Sequence, residues 1–254
     1  MTSVLVLVPF PLDEAAVALR RQQLKSVQLD PSIRFDYRPV KAGPAWYDSD
    51  HDFVLADVAM LEAGQSAEKD GYDAVCLDTL SDSGLNALRS VLRIPVIAPG
   101  LTAFLTALQL GSNFGILQQW RPWLRALKKK LREYGLAEKC VSMRSPDLKP
   151  DPEHLLGGKE ADVFPLLLEH GKKCIEDGAE VIILGSTTMH QAHSFLAERL
   201  PVPIINPGPI SYKMTEAILA ANLTHSRIAY PAPLVPQPDM LGAMLAAAAR
   251  PDKK

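Results

Sequence analysis

The sequence predicts an α/β protein made of two pseudo-symmetric flavodoxin-like or Rossmann-like units, each with a parallel sheet, set around a shared cleft. Three observations carry this reading. Residues 178–186, GAEVIILGS, form an apolar, β-branched run bounded by glycine, the pattern of a strand buried on both faces of a parallel sheet. Residues 71–79, GYDAVCLDT, repeat the same eight-residue step from glycine to hydroxyl. Each is followed by a helical stretch and a short strand opened by proline, so that Thr79 and Ser186 stand 107 residues apart and Pro95 and Pro203 stand 108 apart. A repeat of about 110 residues gives each unit the size of a small domain. Two like units facing each other bring Thr79 and Ser186 to opposite sides of one cleft.

In chain order, the apolar run 3–8 is a first strand ended by Pro9 and Pro11, which cannot donate to a ladder. Asp13 then caps a helix over 13–28, with Arg20 and Arg21 expected to point outward. Residues 33–40 alternate apolar and polar side chains and suit a strand near an edge. The loop 41–52 carries Tyr47, Asp48 and His51, which can reach over a cleft, while Asp50 or Asp52 suits the cap of the amphipathic stretch that follows at 53–70. The strand 71–79, a helix and the strand ending at Gly100 complete the first unit.

The second unit repeats the order: strand 114–118, helix 121–135, strand 140–145, helix 161–176, strand 178–186, a helix beginning after Ser186, and the strand ending at Gly208. The connection 144–160 is the longest irregular stretch and reads as a mobile loop beside the cleft; its Gly157-Gly158-Lys159 lacks the strand and spacing of a phosphate loop. A strand at 226–229 and an Ala-rich terminal helix are expected to pack back on the first unit. The units therefore run over 1–108 plus 223–254 and over 109–222.

At 254 residues, 47% hydrophobic and 22% charged, the chain can bury a sizeable core. A formal net charge of -2 leaves no electrostatic footprint for nucleic acid or an anionic membrane. The apolar start lacks a basic segment and runs into Asp13, and no apolar run reaches membrane-spanning length, so a cytoplasmic location is expected. Three cysteines with no CxxC spacing argue against a disulfide or zinc scaffold, and Cys76 and Cys174 read as inert core thiols.

The chemistry gathers at the strand ends. A helix starting there aims free backbone N–H groups at a ligand, and Ser186, Thr187 and Thr188 add hydroxyl donors, so an anion is favoured. Asp78 and Asp82 flank Thr79 and can supply a carboxylate base. His190, four residues after Ser186, can serve as base toward Ser186 or a substrate. Asn206 can donate an amide hydrogen bond, and Pro9 and Gln118, from the matched segments 4–11 and 114–120, join Tyr47, Asp48 and Asp82 as substrate contacts. No metal-ligand, Schiff-base or phosphate-loop pattern is found, so neither metal nor cofactor is expected. The expected partners are a small anionic or cyclic-amide substrate and further copies of the chain.

The ordered set GYDAVCLDTLSDSGL (71–85), IPVIAPG (94–100), FGIL (114–117), EDGAEVIILGSTTM (176–189), PVPIIN (201–206) and LTHSRIAYPAP (223–233) resembles the aspartate/glutamate racemase superfamily, within it the hydantoin racemase branch. The resemblance covers essentially the whole chain. It implies a cofactor-free enzyme with one thiol from each half on either face of a substrate's α-carbon, one removing the proton and the other returning it. Those thiols fall at Thr79 and Ser186, and both are replaced by hydroxyls. An alcohol is a far weaker acid than a thiol of pKa about 8.5, so two-thiol racemisation is not what these residues predict. Three readings follow: an isomerase or racemase moving a proton at the α-carbon of a small carboxylate, hydantoin or cyclic amide; a hydrolase or carbon-carbon lyase with Ser186 as nucleophile and His190 as base; and a non-catalytic small-ligand-binding protein.

Overall fold

The computed structural model describes residues 1–151 and 156–249. The apolar strand β1 (Thr2–Val8) lies between β2 (Ile33–Pro39) and β3 (Ala74–Leu77), with β4 (Val96–Ile97) beyond β3, all parallel. β1 and β3 are buried on both faces and β2, at the edge, only partly. The second sheet repeats this order as β6-β5-β7-β8, with β5 (Phe114–Leu117), β6 (Cys140–Arg144), β7 (Ile182–Leu184) and β8 (Ile204–Ile205), again parallel. Val75 pairs with Val96 in the first sheet and Ile182 with Ile204 in the second, the offsets of 107 and 108 residues found in the sequence.

Helix α1 (Glu14–Arg21) begins where Asp13 accepts a hydrogen bond from the Ala16 N–H at 2.8 Å, and ends sooner than expected by tightening into a 3-10 turn over Gln22–Ser26. Arg20 does not point outward. It shares the buried face of α1 with Ala16 and Val17. Helix α2 (Asp50–Gly64) is capped by Ser49 and not by Asp50 or Asp52; Asp52 completes a capping box by returning its carboxylate to the Ser49 N–H.

The remaining helices are α3 (Leu85–Val91), α4 (Pro99–Leu110), α5 (Leu124–Glu133), α6 (Glu160–Glu176), α7 (His193–Ala197), α8 (Pro207–Ala220) and α9 (Pro238–Ala248). Two of them cross over. α4 leaves the first sheet but buries Ala103, Phe104 and Ala107 with Phe114, Ile116, Val181 and Ile183 of the second. α8 leaves the second sheet and buries Tyr212 with Val4, Val6 and Cys76 of the first, where its hydroxyl meets that of Tyr37 at 2.7 Å. The two helices also pack on each other, so the halves are joined by mutual exchange and not by one face alone.

Helix α9 returns to the first unit through Leu245, buried with Leu5, Met60 and Leu88. The strand expected at 226–229 does not form. Ser226 Oγ accepts from the N–H groups of Ile228 and Ala229 at 3.2 and 3.3 Å, closing a turn whose apolar Ile228 faces solvent. Of the connection 144–160, residues 152–155 lie outside the described residues, and Leu156 beyond them is buried in the second core. No helix among the described residues is long and apolar enough to cross a membrane.

Candidate active site

Thr79 and Ser186 sit just beyond β3 and β7, and both wall one small cavity of about 40 Å³. Asp78, Pro9, Tyr47, Gln118, Thr187 and Thr188 share that wall, as the sequence suggested, together with Phe10, Arg20, Phe53, Ser81 and Trp123. Tyr47 stacks on Phe10 with ring centroids 5.0 Å apart and donates to the Pro9 carbonyl at 3.1 Å, so an aromatic pair forms part of the wall. Gln118 is fixed by backbone at both ends of its amide, accepting from the Gln119 N–H and donating to the Gly185 carbonyl.

The two hydroxyls are held differently from the expected helix starts. After Thr79 the chain turns through 80–84, with Asp82 at φ 51 and Gly84 at φ 80, before α3 begins. After Ser186 comes a six-residue 3-10 turn, Thr187–Ala192, and only then α7. Ser186 Oγ accepts from the Thr188 N–H at 3.2 Å and shares a hydrogen bond with Thr188 Oγ1 at 2.8 Å. Thr79 Oγ1 is engaged in the same way by the Ser81 N–H at 3.4 Å and Ser81 Oγ at 2.8 Å. The Ser81 and Thr188 N–H groups, expected to be free for an anion, are therefore already bonded to the hydroxyls.

Four predicted residues lie off the cavity wall. Asp82 turns toward α4 and accepts from the N–H groups of Gly100 and Leu101 at 2.8 and 2.9 Å and from the Tyr134 hydroxyl at 2.7 Å. Burial still pushes its carboxyl up to about 6, against those donors. Its role is to cap α4. Asp48 faces outward beside Asp52 on an exposed loop. Asn206 ends β8 at the cap position of α8, buried, with no partner on either side-chain amide atom.

His190 is the fourth. Its Nε2 is buried without a partner, and burial together with the nearby Arg20 charge lowers its pKa to about 4. Nothing links it to Ser186, whose hydroxyl is bonded to Thr188. In the unfolded chain the ring titrates near 6.5, so between 6.5 and about 4 the unfolded state binds the additional proton and the wild type loses stability as the pH falls. His190→Leu removes that titrating group. The Tm of the variant relative to wild type is expected to rise as the pH is lowered through this interval; a difference independent of pH would show that the ring is not held neutral.

At the centre of the site is a pair that the sequence did not reveal. Arg20 is 0% exposed, and its Nη1 donates to Asp78 Oδ2 at 3.1 Å and to Thr187 Oγ1 at 3.3 Å. Gln23 Nε2 donates to the other Asp78 oxygen at 3.1 Å, while Thr187 Oγ1 donates to the Asp78 carbonyl at 3.1 Å and so stitches the second half to the first. Burial pushes the Asp78 carboxyl above its ordinary value, opposed by the Arg20 charge and the Gln23 and Thr187 hydrogen bonds. Gln23 in turn sits so close to Gly208 that a Cβ there would collide with its amide oxygen. The missed signal was positional: helical spacing puts residue 20 on the face of Ala16 and Val17, and only the habit of reading arginine as solvated hid it.

A line of hydroxyls leads out of the cavity. Thr79 Oγ1 is bonded to Ser81 Oγ at 2.8 Å, and Ser81 Oγ to Ser83 Oγ at 2.9 Å. Ser81 also borders a second, larger cavity of about 350 Å³, whose wall includes Ser83, Asp57, Asp82, Lys129 and Glu133. Cys76, within β3, is buried against Ser211 of α8, and burial pushes its thiol up to about 12, as suits an inert core residue. Among the described residues no group of three or more His, Cys, Asp or Glu is placed to hold a metal ion.

The Asp/Glu/hydantoin racemase family model matches residues 17–215. The hydantoin racemase of Pseudomonas sp. (strain NS671) is 27% identical over 214 residues, covering 82% of this chain and 79% of that protein. The hydantoin racemase of Rhizobium meliloti is 28% identical over 198 residues, 74% of this chain and 78% of that one. The solved structure of allantoin racemase from Klebsiella pneumoniae matches with a TM-score of 0.84 at 23% identity, over 93% of this chain and 95% of its own, a likeness of fold.

Proposed function

Because the chain belongs to the Asp/Glu/hydantoin racemase family, we propose that it is a cofactor-independent isomerase of the racemase type that moves a proton at the α-carbon of a small carboxylate, hydantoin or related cyclic amide. The observation that carries this reading is the meeting of Thr79 and Ser186, equivalent positions of the two halves, on one cavity whose wall also includes Asp78. The thiols of the resemblance are gone, and the work divides among other groups. Asp78, raised by burial, takes the α-proton. The Ser186 hydroxyl holds the negative charge that develops on the substrate oxygen, where a water-poor site makes a hydrogen bond count for more than in solution. A proton for the opposite face enters from solvent in the larger cavity and passes through Ser83 and Ser81 to Thr79, each hydroxyl giving one proton as it accepts another, and the proton held by Asp78 returns to solvent after product leaves.

The geometry gives less support to Ser186 as a nucleophile. Its hydroxyl is bonded to Thr188, and the Nε2 of His190 has no partner, so no base stands ready to activate the serine. The test is incubation in deuterated water with small 2-substituted carboxylic acids, allantoin and 5-substituted hydantoins. Loss of the α-proton NMR signal in step with loss of optical activity is expected for at least one of them. Turnover accompanied by a covalent adduct on Ser186, with no deuterium in recovered substrate, would overturn the proposal in favour of a hydrolase or lyase.

A further inference from the structure

The guanidinium of Arg20 is only half used. Nη1 serves Asp78 and Thr187, whereas Nε and Nη2 are buried and have no hydrogen-bond partner. These two nitrogens form one edge of the planar group, and their N–H bonds run parallel at the spacing of the two oxygens of a carboxylate. The residue is 0% exposed and forms part of the cavity wall, with its central carbon 5.8 Å from the centre of the Phe10 ring. A buried cation that leaves two nitrogens unsatisfied is costly, and groups in this state are paired when the site is filled.

We propose that the free edge of Arg20 binds a carboxylate of the substrate side-on, and that this selects free carboxylic acids over neutral cyclic ureides. The inference rests on the functional reading above and narrows its substrate class. Three features favour the anion. A ring carbonyl offers one oxygen and no charge to a donor edge built for two oxygens. The cavity of about 40 Å³ has room for only a few atoms, at about one water per 10 to 15 Å³ counted this way, which suits a carboxylate and its α-carbon better than a five-membered ring. Asp78 holds the same guanidinium through Nη1 alone, so its carboxylate leaves the Nε–Nη2 edge open to a second anion.

Acetate and its neutral counterpart acetamide are the probes. Calorimetry on the wild-type protein is expected to show saturable acetate binding and at least tenfold weaker acetamide binding. Arg20→Lys keeps a cation beside Asp78 but has no paired edge, and is expected to lose at least tenfold in acetate affinity with an unchanged circular dichroism spectrum. Should that variant fail to fold, the ¹⁵N–¹H signal of the Arg20 Nε in the wild type decides instead: it is expected to shift with acetate and not with acetamide. Equal binding of the two probes, undiminished acetate affinity in the lysine variant, or an unmoved Nε signal would overturn the proposal. Arg20-dependent acetate binding in a protein that exchanges no α-proton would leave this inference standing and sink the isomerase reading, so the two failures are told apart.

Discussion

Asp78→Asn is expected to lower α-proton exchange by at least a hundredfold while the protein stays folded. General acid-base groups contribute about 10² to 10⁴ in rate, and among the described residues Asp78 is the only carboxyl residue lining the cavity, with no histidine or cysteine beside it. The substitution is mild for the fold. The new amide can accept from Arg20 as the carboxylate did, and Gln23, whose Oε1 has no partner, can turn its amide to receive the new N–H. Exchange and binding should also move in opposite directions. With its internal counter-ion neutralised, Arg20 is expected to hold acetate more tightly even as turnover collapses. NMR exchange rates and calorimetry check both halves, and exchange within threefold of wild type would remove Asp78 from the reaction.

Phe104→Ala is expected to cost about 3 to 5 kcal/mol of unfolding free energy, the range for removing a large aromatic side chain from a packed core. Phe104 is 0% exposed and stacks on Phe114 with centroids 5.7 Å apart and planes 7° from parallel. It is carried by α4 from the first sheet into the core of the second, so the cavity opens where the two halves are tied together. Urea unfolding should show the midpoint falling in a single transition. A loss below about 1 kcal/mol would mean that neighbouring side chains close the gap, an outcome seen where a site can collapse.

The fold was legible because its strands are short, apolar and punctuated by glycine and proline, and because the punctuation recurs. Gly71, Pro95, Gly178 and Pro203 mark the same places in the two sheets. The 226–229 stretch misled because strand-like composition measures fitness for a pleated surface and not the presence of a neighbouring strand. Here the Ser226 hydroxyl takes the N–H groups that a ladder would have used, and Tyr230 instead accepts from Arg89 at 2.9 Å. The strand-end residues of the site were readable from the repeat itself. Arg20 and Gln23 were not, since they come from a helix and the 3-10 turn that ends it, remote in sequence, and what makes them part of the site is a carboxylate fifty-eight and fifty-five residues away. His190 and Asp82 fell the other way: spacing placed them near the hydroxyls, but spacing does not say which way a side chain turns after a 3-10 turn or a left-handed residue.

The crossing of α4 and α8 bears on how such a chain arises and how it can be taken apart. Each sheet is covered by a helix that the other sheet's strand emits, so two separate copies of a single half, trading that helix, would build the same body with true twofold symmetry. The present chain has the form of such an intertwined pair fused end to end between 110 and 114. A break engineered there should yield fragments that are insoluble alone, each with an uncovered sheet face, yet reassemble when mixed. It also follows that neither fragment would own a catalytic centre, because Asp78 and Thr187, bonded to each other across the joint, belong to different pieces.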